Sequence, residues 1–67
     1  MDQIIELLKS HIGLWGNIYV MGSFANAVGG RVTQVFEQYV ELEQEEGFYA
    51  YIPLDRIVYI TLQKQAH

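Results

Sequence analysis

The sequence predicts one mainly β domain spanning residues 1–67, in which an N-terminal α-helix precedes a strongly bent five-stranded antiparallel sheet, a small open barrel. Three observations carry this expectation. Apolar residues recur with a helical period at the start and switch after Gly13 to strict alternation. Paired glycines, Gly29-Gly30, stand inside an alternating stretch, where a sheet that curls over itself needs a bend. Turn residues then cut the remainder into strand-length pieces.

The helix is expected over about 2–12. Ile4, Leu8 and Ile12 repeat at a spacing of four, Ile5 and Leu7 widen the stripe, and Gly13 suits the left-handed backbone that stops a helix. Helical neighbours such as Ser10 and His11 diverge by about 100°, so they form no nucleophile–base pair. Leu14 and Trp15 staple the helix to the open end of the barrel; the alternative is an exposed Trp15 that docks a partner.

A first strand is expected at about 17–24, with Ile18 and Val20 on one side and Tyr19 and Met21 on the other. A turn follows at Ala25-Asn26, and then a second strand at about 27–36, bent at its glycines. The alternative is a single loop from Gly22 to Gly30. The third strand, about 39–44, points Val40 and Leu42 inward and its glutamates outward. Gln44-Glu45-Glu46-Gly47 is a polar hairpin turn with glycine where positive φ is needed. The fourth strand, about 48–53, places Phe48, Ala50 and Ile52 opposite Tyr49 and Tyr51, and Pro53 ends it. Leu54-Asp55-Arg56 turns into a fifth strand, 57–62, whose two alternating sets, Ile57 and Tyr59 against Val58, Ile60 and Leu62, are both apolar.

With only 67 residues, of which 51% are apolar or tyrosine, the chain carries more apolar surface than one small core hides. Cysteine is absent, which excludes disulfides and thiolate metal sites. His11 and His67 have no evident ligand partners, so neither metal nor cofactor is expected. Oligomerisation is then the expected reinforcement. An apolar edge strand invites pairing, and a head-to-tail contact closes into a ring when the rotation allows. The residues expected at that subunit interface are Tyr51, Ile57, Val58, Tyr59, Ile60 and Leu62. No leader-like pattern and no apolar run of roughly 18 residues is evident, which reads as a cytoplasmic protein without a membrane partner. The net charge of −4, from eight acidic and four basic residues, opposes non-specific attachment to phosphate.

Gly30-Arg31-Val32-Thr33-Gln34-Val35, Tyr39-Val40-Glu41-Leu42-Glu43 and the isoleucine-rich Tyr51-Ile52-Pro53-Leu54-Asp55-Arg56-Ile57-Val58-Tyr59-Ile60 together resemble the Sm-like (LSm/Hfq-like) small-barrel family. The likeness runs from about Ile4 to Leu62. It implies a homo-oligomeric ring of roughly six or seven subunits, whose fourth and fifth strands pair between neighbours. It also implies binding of single-stranded RNA around the pore, gripped by the loops between strands two and three and between strands four and five. Those loops fall on Phe36, Glu37, Gln38 and Tyr39, and on Pro53 to Arg56. The first has Glu37 and no asparagine where the family has aspartate and then asparagine. The second has neither the Arg-Gly nor the Lys-His pair of the family's branches, and Arg56 is its basic group.

Arg56 repeated around a pore would make a positive rim, or it pairs with Asp55 or a neighbour's glutamate. Phe36 and Tyr39 would stack bases, with Gln38 between them, or Tyr39 merely starts a strand. Arg31 reaches phosphate or, preferably, pairs with Glu37. No convergent acid, base and nucleophile is legible, so no enzyme is expected. Three readings stay open: an RNA-binding ring, an acidic protein-interaction or scaffold ring, and a monomeric module of a larger complex.

Overall fold

The computed structural model describes residues 2–22 and 27–64. A helix, α1 (Asp2–Lys9), precedes five strands: β1 (Trp15–Val20), β2 (Val28–Val35), β3 (Tyr39–Glu45), β4 (Phe48–Pro53) and β5 (Ile57–Leu62), the last two joined by a single 3-10 turn at Leu54–Arg56. The turn expected at Ala25-Asn26, the end of the first expected strand and His67 lie outside the described residues.

The helix stops earlier than its apolar period suggested. After Lys9 the backbone tightens: the His11 amide donates to Leu8 O at 3.0 Å rather than four residues back, and Gly13 turns the chain with φ of 94°. Ile12 therefore leaves the stripe and is exposed, whereas Leu8 is fully buried. The helix exit is fastened to β2 by two backbone bonds, Gly13 N–H to Val32 O at 2.7 Å and Val32 N–H to Leu14 O at 2.9 Å. Trp15 belongs to β1 instead of stapling the helix, and its indole lies along Gly29 of β2.

All strand pairs are antiparallel, in the order β4-β3-β2-β1-β5. The sheet is open: β4 and β5 lie at its two ends and do not pair with each other. Gly29 and Gly30 sit inside β2, paired with Asn17 and Gly16, and not in a loop. A Cβ on Gly30 would come within 2.9 Å of Leu42 Cβ and 3.0 Å of Glu43 O, so glycine is what lets β3 approach there. The break in register itself comes later, at Thr33, which bulges between Val32 and Gln34.

The core is Leu8, Ile18, Val32, Val40, Leu42, Ile52 and Leu54, with Ile57, Ile60 and Leu62 of β5 packed against it. Strict alternation in β5 fails. Val20 pairs with Ile57 and Tyr19 with Tyr59, leaving Val58 as an unpaired extra residue. The bulge resets the phase, so Ile57, Ile60 and Leu62 share the core side while Val58 and Tyr59 are exposed. A third shift, between Glu43 and Glu45, leaves Gln44 of β3 as the extra residue, and Phe48 at the start of β4 is exposed while Ile52 is buried.

Candidate nucleic-acid interface

The turn from β2 to β3 is short because Phe36 N–H donates to Tyr39 O at 2.8 Å, leaving only Glu37 and Gln38 at its tip. The turn from β4 to β5 is set by Pro53, whose ring holds φ at −61°, and by Leu54, whose side chain is buried as an anchor. The two turns meet: Leu54 N–H donates to Gln38 O at 2.9 Å. Met21 N–H, at the end of β1, donates to Arg56 O at 2.8 Å and fixes the far side of the second turn.

Where the turns meet they enclose an open cavity of about 400 Å³, lined by Glu37, Gln38, Pro53, Leu54 and Asp55. A neighbouring apolar cleft of about 550 Å³, between Val20 and Val28 on one side and Ala50 and Ile52 on the other, has Asp55 and Arg56 at its rim. Three rings run alongside the first turn. Phe36 and Tyr39 lie 4.7 Å apart between centroids, and Tyr39 meets Tyr51 edge-on at 5.7 Å. Tyr51 is held in that pose by donating its hydroxyl to Glu41 Oε1 at 2.8 Å, while Thr33, the bulged residue, donates to Glu41 Oε2 at 2.8 Å. The bond to Glu41 also holds the Tyr51 phenol above its ordinary range, because the carboxylate stabilises the protonated form.

The structure thus brings Phe36, Gln38, Tyr39 and Arg56 to one end of the sheet, and separates Arg31 from them. Arg31 forms an ion pair with Glu43, its cross-strand register partner, and not with Glu37 as expected. Arg56 is exposed and has no ion pair among the described residues. Two carboxylates, Glu37 and Asp55, line the cavity, and Arg56 lines the neighbouring cleft together with Asp55.

Of the interface candidates, Tyr51 on β4 and Val58 and Tyr59 on β5 are 57%, 61% and 54% exposed, whereas Ile57, Ile60 and Leu62 pack on the chain's own core. A stacked pair that sequence reasoning missed joins β1 to β5. Tyr19 and Tyr59 lie 4.3 Å apart with planes within 3°, and hydrogen bonding to Tyr19 raises the Tyr59 phenol. Alternation sets Tyr19 opposite Ile18 and Val20, but it groups Tyr59 with Ile57, and the meeting of the two tyrosines depends on the β1–β5 register, which no local signal encodes.

Ser10 and His11 do come together, at 3.0 Å between Oγ and Nδ1, because α1 has already ended at Lys9. Ser10 donates to Leu7 O at 2.7 Å and His11 Nδ1 lies 2.8 Å from the same carbonyl. That carbonyl fixes the proton on Nδ1, so His11 cannot take the serine proton there, and the pair finishes a helix end. Among the described residues no group of three His, Asp or Glu side chains could hold a metal ion, and no helix is long and apolar enough to cross a membrane. Comparison of the chain with models of known families, with curated proteins and with solved structures finds no match to any of them.

Proposed function

We propose that this chain is a ring-forming Sm-like module and that its ring binds single-stranded RNA at the joined turns. The observation that carries the RNA reading is the Leu54–Gln38 bond. It makes one surface of the two segments that the family resemblance implies for RNA, beside the exposed rings of Phe36 and Tyr39 and within reach of the unpaired Arg56. The ring is supported by the sheet's two unpartnered end strands, each with exposed apolar residues, which offer complementary ladders to a second copy. A helix followed by a five-stranded antiparallel sheet is compatible with that family.

Light scattering across a dilution series, followed by fluorescence anisotropy with labelled single-stranded RNA at several salt concentrations, tests both halves. A mass of several chains that persists on dilution, with salt-sensitive binding weakened in Arg56→Ala, is expected. A monomer sinks the ring; no salt-sensitive binding to any RNA sinks the nucleic-acid reading.

A second reading, an acidic protein-interaction or scaffold ring, is favoured by one observation: Glu37 and Asp55 line the cavity while Arg31 is neutralised by Glu43. A protein partner retained after ribonuclease treatment and in Arg56→Ala would establish it over the first.

A further inference from the structure

Tyr19 and Tyr59 are direct register partners on β1 and β5. Their rings lie face to face, with centroids 4.3 Å apart and planes within 3°. That is closer and flatter than the offset or edge-on poses aromatic pairs usually take. Tyr19 raises the Tyr59 phenol through a side-chain hydrogen bond, so the two hydroxyls lie at the same end of the stack. Parallel rings with adjacent hydroxyls run head to head. The carbons ortho to each hydroxyl therefore face each other across the stack. Tyr59 is 54% exposed, and neither ring belongs to the core. The other close tyrosines differ: Tyr39 meets Tyr51 at 5.7 Å with planes at 74°, and the Tyr51 hydroxyl is held by Glu41. A ring that meets its partner edge-on brings no matching pair of ortho carbons together.

We infer that Tyr19 and Tyr59 form a site of oxidative coupling, at which a peroxide-consuming one-electron oxidant joins the two rings as dityrosine and locks β5 to β1. The inference stands apart from what the chain binds. Each phenol gives up one electron and its hydroxyl proton and becomes a phenoxyl radical, whose unpaired spin rests partly on the ortho carbons. The two radicals pair there in a carbon–carbon bond. The ortho hydrogens then move to the oxygens as the rings regain aromaticity. The net change is the loss of two hydrogen atoms from the chain, and one hydrogen peroxide takes up the two electrons and two protons and leaves as two waters. The sheet contributes proximity, because it turns an encounter between molecules into a step within one. The link closes the chain from residue 19 to residue 59 into one loop. A cross-link over so long a loop stabilises chiefly by restricting the unfolded chain. It also ties the end strand to its own sheet.

The experiment treats the full chain with a haem peroxidase and limiting hydrogen peroxide at several dilutions. Dityrosine is read by its fluorescence and by intact mass, and the site by tryptic mapping. Trypsin cuts after Lys9, Arg31, Arg56 and Lys64, so the tyrosines separate cleanly. Tyr19 falls in peptide 10–31, Tyr39, Tyr49 and Tyr51 in 32–56, and Tyr59 in 57–64. The expected product is a single chain two hydrogens lighter, with 10–31 joined to 57–64 in a yield that does not fall on dilution. Its midpoint in denaturant is expected to lie above that of the untreated chain. Tyr19→Phe and Tyr59→Phe, each verified as folded by circular dichroism, are expected to lose the product, and Tyr51→Phe is expected to keep it. Links that run mainly to 32–56, a product confined to covalent dimers, or no dityrosine overturns the inference. An unchanged midpoint in the chain linked through Tyr19 and Tyr59 overturns the lock.

Discussion

The amide of Leu54 donates to the carbonyl of Gln38 at 2.9 Å, and the Leu54 side chain is buried directly behind that bond. Core packing and the shape of the candidate site are therefore coupled at one residue. Leu54→Ala removes a buried side chain and is expected to cost about 2–4 kcal/mol of stability. Denaturant unfolding measures that loss. Under native conditions the same variant is expected to weaken RNA binding more than the loss of any exposed residue of β5.

Gly30→Ala places a methyl against Leu42 Cβ and Glu43 O, neither of which can swing aside, and is expected to cost about 1–3 kcal/mol. Gly29→Ala meets softer neighbours, the Asn17 side chain and the Trp15 indole. It is expected to shift Trp15 fluorescence with a smaller change in the unfolding midpoint. Equal costs for the two substitutions would contradict this account of the close approach at Gly30.

Val58 stands unpaired at the bulge of an end strand, exposed to solvent. Val58→Lys adds a charge of the kind that blocks edge pairing without touching the core. The expected result is a fall in mass by light scattering with an unchanged circular dichroism spectrum.

The Tyr51 phenol, bonded to Glu41, ionises above its ordinary value of about 10. A group whose folded value is raised contributes stability that is present below the unfolded value and is lost as the pH climbs through the folded one. Stability is therefore expected to decline from about pH 10 upward. Alkaline absorbance titration should show late-ionising tyrosines, of which the Tyr51 component is lost in Tyr51→Phe and moves back toward the ordinary range in Glu41→Gln, while that of Tyr59 remains in both.

Arg31 is half exposed, and its pairing with Glu43 is a surface contact. Arg31→Ala is expected to lose less than about 1 kcal/mol in denaturant unfolding. RNA affinity should be unchanged, in contrast to Arg56→Ala.

Secondary structure was legible wherever residue chemistry acts locally. Gly13 and Gly47 take positive φ as turn positions, Pro53 closes β4, and Val40 and Leu42 point to the core. What escaped was register. The bulge in β5 inserts one residue with no composition signal, so the phase of β5 after Val58 and the meeting of Tyr19 with Tyr59 could not be read from alternation. Glu37 is near Arg31 in the chain, whereas strand pairing delivers Glu43. The end of α1 is illegible for a related reason: a spacing of four marks which residues would share a face, not where the backbone stops being helical. At the candidate site the residue types were visible, but the bond that unites the two turns links backbone atoms and leaves no mark on the side chains.

The pairing of β5 with β1 has a kinetic side. Strands β2, β3 and β4 follow one another as a meander whose contacts close over a few residues, while Ile18 must find Ile60 from across most of the chain. Loop closure of that length is entropically slow, so β5 is the strand to dock last. Until it docks, the free side of β1 is a vacancy that β5 of another molecule fits equally well. At high concentration during refolding, the chain is thus exposed to strand exchange, in which two molecules complete each other's sheet by trading their C-terminal strands.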